Sequence, residues 1–167
     1  MVAAVVLAAG AATRYGGPKQ RQFLPAVLAA VSRADVAPIV VVEGAWTLVP
    51  RSNEVHGVTF VHCDEWADGP GASLRCGLAA LGDDVTHALV VLADGPELDP
   101  RAVSRLVDQA SDEPVLAATY DGSSRSHPVL LARSAWATVP PEGARALDPV
   151  LVDCSDLSPP GDVDYPR

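Results

Sequence analysis

No stretch of the 167-residue sequence reaches the roughly 18–20 apolar residues that a membrane-spanning helix needs, so no such span is expected. Lysine is nearly absent, with Lys19 the only one. Cysteine is scarce: Cys63, Cys76 and Cys154 are three in number, widely spaced and without a CxxC pair. Neither a disulfide framework nor a zinc knuckle is therefore expected, and a reducing compartment fits best. Basic charge is in deficit, 12 Lys and Arg against 21 Asp and Glu, for a net charge of −9. The average surface then repels phosphate backbones and anionic lipid, which disfavours nucleic acid and membrane as partners. The 13 glycines and 15 prolines stay below the roughly 25–30% that marks low complexity. No internal repeat and no interdomain linker is visible.

With 49% apolar and 20% charged residues a packed core is feasible, and the length suits one domain over 1–167. The opening MVAAVVLAAGAA has no basic segment before it, and its apolar run breaks at Gly10, so it reads as a buried strand and not a signal peptide. A soluble, cytoplasmic protein is expected. Val2 to Ala8, Pro38 to Val42 and His87 to Ala93 are apolar runs of the kind buried on both faces of a parallel sheet. Val58 to Val61 and Val115 to Thr119 are shorter strand candidates, and Val129 to Leu131 suits an antiparallel strand near an edge. Helical spacing is found over Pro25 to Ser32, Gly71 to Leu81 and Pro100 to Ala110, the last with Asp99 as N-cap. Alternation of strand and helix predicts a doubly wound α/β fold. Beyond Thr138, a short helix near Gly143 to Leu147 and an extended segment at Val150 to Val152 are expected within loop.

The first strand runs into Gly10-Ala-Ala-Thr-Arg14-Tyr-Gly16-Gly17-Pro18-Lys19. Small residues after a strand let backbone N–H groups face an anion, and Arg14 and Lys19 add positive charge. Residues 1–34 hold Arg14, Lys19, Arg21 and Arg33 and no acid, which independently suits a phosphate. Neither GxxxxGK[ST] nor GxGxxG is present. A glycine-rich turn with solvated cations fits the same residues, and the motif alone leaves both readings open. Asp94 follows the run ALVVLA, at the carboxyl end of a central strand where open α/β sheets bind ligands. It suits Mg²⁺, which takes one or two carboxylates and completes its shell with water and phosphate oxygens; it equally suits capping of the turn at Gly95-Pro96. Asp162 and Asp164 point the same way if extended, so either can join such a metal or remain a solvated acidic tail. Trp66 to Arg75 joins a loop to a helix start that offers N–H donors and the Ser73 hydroxyl, or is ordinary capping. Arg125 and His127 set a cation and an imidazole just before a strand.

Taken in order, LAAGAATRYGGPK, WADGPGASLRCGLAAL, VVLADGP, SRSHPVLLARSAW, GARAL and GDVDYP resemble the molybdenum cofactor nucleotidyltransferases, most of all the molybdopterin cytidylyltransferase branch. The resemblance spans nearly the whole chain. It implies a three-layer α/β/α Rossmann-like fold with a mostly parallel sheet, a nucleotide-binding half over about 1–95 and an acceptor-binding half over about 96–167. The implied reaction moves NMP, CMP by the LAAG form of the loop, from an NTP to a phosphorylated acceptor such as molybdopterin, with Mg²⁺ and release of pyrophosphate. The pattern LAAGxxxRxGxxK falls on Leu7, Ala8, Ala9, Gly10, Arg14, Gly16 and Lys19. By resemblance Arg14 faces the leaving pyrophosphate, Lys19 the α-phosphate, Gly71 and Ser73 the nucleotide, and Arg125 and His127 the acceptor. Asp94 and Asp164 are the implied metal ligands, and a molybdoenzyme is the implied transient partner.

The chain departs from that pattern twice. After Phe23-Leu24-Pro25 the usual Gly-x-Pro-Leu-Leu segment is replaced by Ala26-Val27-Leu28, and the usual D-T-P-x-D ending reads Asp164-Tyr165-Pro166-Arg167. Two alternatives therefore stay open beside the cytidylyltransferase: a guanylyl- or other nucleotidyltransferase with a different phosphorylated acceptor, and a catalytically silent relative that binds nucleotide or pterin.

Overall fold

The computed structural model describes residues 1–11, 16–48 and 57–161. Valine-rich runs become central strands because alternate residues enter two different cores. In β1 (Val2–Leu7), Ala3 and Val5 join one buried cluster while Ala4 and Val6 join the other. The same alternation recurs in β2 (Ile39–Glu43), with Val40 and Val42 opposite Ile39 and Val41. With β3 (Val58–His62), β4 (His87–Leu92), β5 (Val115–Thr119), β6 (Ser126–Ala132) and β7 (Val150–Asp153) they form a seven-stranded sheet of order β3-β2-β1-β4-β6-β5-β7.

Only β6 runs against its neighbours, antiparallel to both β4 and β5; the other pairings, β7 on β5 included, are parallel. Helices α1 (Lys19–Arg33) and α3 (Pro100–Asp108) cover one face through Leu24, Val27, Val31, Val103 and Leu106. On the other face lie α2 (Pro70–Ala79), through Leu74 and Leu78, and 3-10 segments at Arg133–Thr138 and Gly143–Ala146. This is the expected three-layer α/β/α fold with a mostly parallel sheet. The chain leaves β1 toward β2 on one side and pairs β4 on the other, so the carboxyl ends of β1 and β4 border a topological switch point. Among the described residues, no helix is long and apolar enough to cross a membrane.

Three expectations are corrected. Helix α1 begins at Lys19, six residues before Pro25, which lies inside it. An interior proline costs about 3 kcal/mol in an isolated helix, but Leu24, Val27 and Val31 bury one face on both sides of it. Strand β6 lies third from the sheet's edge and is longer than Val129 to Leu131, because Leu130 enters one core while Val129 and Leu131 enter the other. Finally, Cys63 and Cys76 form a disulfide with Cα atoms 5.9 Å apart, although their spacing gave no such signal. The end of β3 and the middle of α2 meet only in the tertiary structure, at a separation disulfides require. Cys154 is free and buried.

Candidate functional site

The loop after β1 is held by its carbonyls. Ala9 O accepts from the Ala45 N–H at 3.0 Å, Gly10 O from Gln20 Nε2 at 3.1 Å and Ala11 O from Trp46 Nε1 at 3.0 Å. The donors from residues 45 and 46 are placed by buried Glu43, whose carboxylate accepts from Leu48 N–H at 2.9 Å. Gln20 is buried on the second residue of α1, and among the described residues its Oε1 has no hydrogen-bond partner.

Beside this loop, Asp94 ends the β4 turn and Lys19 opens α1. Lys19 Nζ lies 2.9 Å from Asp94 Oδ2, with side chains 8% and 23% exposed. Partial withdrawal from water makes the attraction between the two charges stronger than that of a fully exposed pair. Leu7, Ala9, Gly10, Gln20, Ser73 and Asp94 line a cleft of about 330 Å³, whose far wall is Trp66, Ala67, Gly69 and Pro70. Asp94 is a hard oxygen donor lining a cleft large enough for phosphate oxygens, which fits a divalent cation such as Mg²⁺ or Mn²⁺. Among the described residues, the one cluster of three metal-type donors is Cys63, Glu65 and Cys76, and it includes two sulfurs joined in the disulfide.

A second cleft, of about 350 Å³, opens beyond Asp94 and shares Leu92 with the first. It is lined by Val91, Leu98, Ser126 and His127 and closed by Pro159 to Gly161. His127 Nδ1 lies 3.5 Å from Val90 O, and burial holds its imidazole below the ordinary value, with the Arg125 charge acting in the same sense. Arg125 itself turns away: its guanidinium donates to Leu147 O, and to Ala144 O at 2.7 Å, binding the 3-10 segment Gly143–Ala146 to the sheet.

The structure thus brings together Leu7, Ala9, Gly10, Lys19, Ser73 and Asp94, with His127 across Leu92. Ala8 is buried in the core under α1 and does not line the cleft, and Gly16 follows the loop at φ 81°. Gly71 is a packing position: a Cβ there would stand 2.0 Å from Pro140 O, and its N–H donates to Pro141 O at 2.9 Å. Arg14, Asp162 and Asp164 lie outside the described residues. Sequence reasoning missed Gln20 and Trp46. Gln20 did leave a signal, since it shares the spacing of Leu24, Val27 and Val31 and is the polar member of an apolar stripe.

An open α/β sheet that carries a small-residue loop and an aspartate at its switch point has its ligand site in that crevice. Residues 4–147 match the MobA-like NTP transferase domain, and the chain belongs to that family. The fold is similar to that of Rv0371c from Mycobacterium tuberculosis, at 24% identity and a TM-score of 0.78 over 98% of this chain and 93% of that one. It is also similar to Rv0371c in complex with manganese, at 21% identity and a TM-score of 0.70 over 91% and 88%. A nucleotidyl transferase from Methanothermobacter matches at 22% identity and 0.65 over 83% and 74%. Comparison with curated proteins finds no match.

Proposed function

We propose that this nucleotidyltransferase moves CMP from CTP to a phosphorylated acceptor, molybdopterin, and releases pyrophosphate. The observation that carries the reading is the Lys19–Asp94 pair at 2.9 Å, whose Asp94 lines a cleft together with Gly10 and Ser73. With the carbonyls of Ala9, Gly10 and Ala11 tied from behind, the N–H edge of that loop is what remains for the triphosphate. Residues about 1–95 hold the nucleotide and about 96–167 the acceptor, in one domain. Lys19 counters charge at the α-phosphate and Arg14 at the pyrophosphate. Asp94, with Asp164, holds Mg²⁺, which when bound neutralises charge on the phosphates.

An acceptor phosphate oxygen forms the new bond to the α-phosphorus as the bond to the β-phosphate oxygen breaks, and the electron pair leaves with pyrophosphate. The acceptor phosphate is ionised near neutral pH, so no general base is required; positioning and charge stabilisation do the catalysis. The LAAG form of the loop supports CTP over GTP. A second reading, a different phosphorylated acceptor, is favoured by Arg125, whose guanidinium is engaged with Leu147 and Ala144 carbonyls. Pyrophosphate release with Mg²⁺ and molybdopterin, run in parallel with CTP, GTP, ATP and UTP, is expected to proceed with CTP. Release with another base reassigns the nucleotide. No release with any, in a protein that binds an NTP by calorimetry, favours another acceptor or a silent binding role.

A further inference from the structure

One wall of the first cleft is not supplied by the sheet. Trp66, Ala67, Gly69, Pro70 and Ser73 all lie between Cys63 and Cys76 in sequence, so the disulfide closes a loop that contains that whole wall. From Trp66 to Gly69 the backbone bonds are local, Trp66 N–H to Cys63 O at 3.3 Å, Asp68 N–H to Glu65 O at 2.9 Å and Gly69 N–H to Trp66 O at 3.4 Å. Helix α2 is tied further off, through Gly71 N–H to Pro141 O at 2.9 Å and Arg75 Nη1 to Val139 O at 3.0 Å. The 3-10 turn Trp66–Asp68 and the start of α2 both lack a side-chain cap, and Gly69 between them has φ 115°. By contrast Cys63 is anchored: it is fully buried, and its N–H donates to Glu43 O at 2.8 Å. Helix α2 is already packed on the sheet through Leu74 and Leu78; the covalent link adds a second tie at the end of β3 and closes the loop that carries the cleft wall between the two.

We propose that Cys63 and Cys76 are a thiol–disulfide exchange site that sets the order of this wall and, through it, the affinity for nucleotide. The second part rests on the reading of the cleft as the nucleotide site. Cys76 is the accessible sulfur and Cys63 the buried one, which fixes the order of chemistry. In the reduced pair the Cys76 thiolate attacks one sulfur of a small-molecule disulfide such as glutathione disulfide, giving a mixed disulfide and releasing one thiolate. The Cys63 thiolate then attacks the Cys76 sulfur, forming the internal bond and expelling the second thiolate. Two protein thiols and one external disulfide become one protein disulfide and two external thiols, with the two protons passing to the departing thiolates. Glu65 Oε2 stands 3.9 Å from Cys63 Sγ and 4.0 Å from Cys76 Sγ, within reach of either S–H when the bond is open.

The test uses the full chain and the Cys63→Ser/Cys76→Ser double variant, each equilibrated with glutathione disulfide or with dithiothreitol. After glutathione disulfide, alkylation in denaturant should label only Cys154 of the three cysteines of the wild type; labelling of all three overturns the proposal. Hydrogen exchange of the segment between Cys63 and Cys76, read by mass spectrometry, should rise roughly tenfold on reduction of the wild type. The double variant should exchange fast in both conditions. Exchange in the wild type that ignores the reductant, or a reductant effect equal in both proteins, overturns the clamp. CTP titrated by calorimetry should bind roughly tenfold more weakly to the reduced wild type. Equal affinity in both redox states overturns the coupling to nucleotide, whereas no binding in either state overturns the nucleotide reading and leaves hydrogen exchange to decide the clamp.

Discussion

Lys19 and Asp94 meet at 2.9 Å from two elements far apart in sequence, with side chains 8% and 23% exposed. Replacing Lys19 with alanine should lower turnover by about 10²–10³-fold, the scale lost when one preorganised charge-stabilising donor is removed. An unchanged rate of pyrophosphate release would take Lys19 out of the reaction. Asp94→Asn should move the Mg²⁺ titration of the same assay to higher concentration, and an unmoved titration would place the metal elsewhere. These two residues stand out in the sequence because a lone lysine after a glycine-rich loop and an aspartate after a buried strand carry their context with them, and the fold brings them into contact. Gln20 is hard to recognise in the sequence, although its polar side chain falls on the apolar stripe of α1, because Pro25 reads as the start of the helix.

At the scale of elements, α2 lies against the sheet more closely than any side chain at Gly77 would allow. A Cβ there would stand 2.4 Å from Val5 Cγ1 and 2.8 Å from Val42 Cγ2, both fully buried. Gly77→Ala should therefore cost about 1–3 kcal/mol, as overpacking of a rigid core does. The denaturant midpoint measures it; a midpoint at or above the wild type's would show that the helix can lift without penalty. The strands themselves were readable to within a residue or so at most ends, since each continuous valine-rich run records burial on two faces. Strand β6 was harder, because a short run such as Val129 to Leu131 says nothing about which strands it will sit between. The Cys63–Cys76 bond was invisible for the same reason: spacing along the chain does not encode the meeting of β3's end with α2.

Over the whole molecule, burial leaves His127 with a proton affinity below that of the unfolded chain. The unfolded state then binds more protons as pH falls through the ordinary value of 6.5, so stability present above that pH is lost progressively below it. Thermal unfolding between pH 5 and 8 should show a fall in Tm below about pH 6.5 that is smaller in His127→Gln. Equal slopes in the two proteins would assign the fall to other groups. The overall topology was legible as alternating strand and helix, and the placing of two clefts on either side of Leu92 was not, since it depends on which strands neighbour β4.

Lys19 is the one lysine of the sequence. An endoprotease that cuts only after lysine has one bond to find in the entire chain, Lys19–Gln20, and that bond is wound into the first turn of α1 with both flanking side chains buried. Cleavage there requires the turn to unwind, so the rate at which the chain is split into two fragments becomes a clock for opening at the foot of the cleft. A nucleotide seated above Lys19 should slow that clock, with no label, no chromophore and no substitution in the protein.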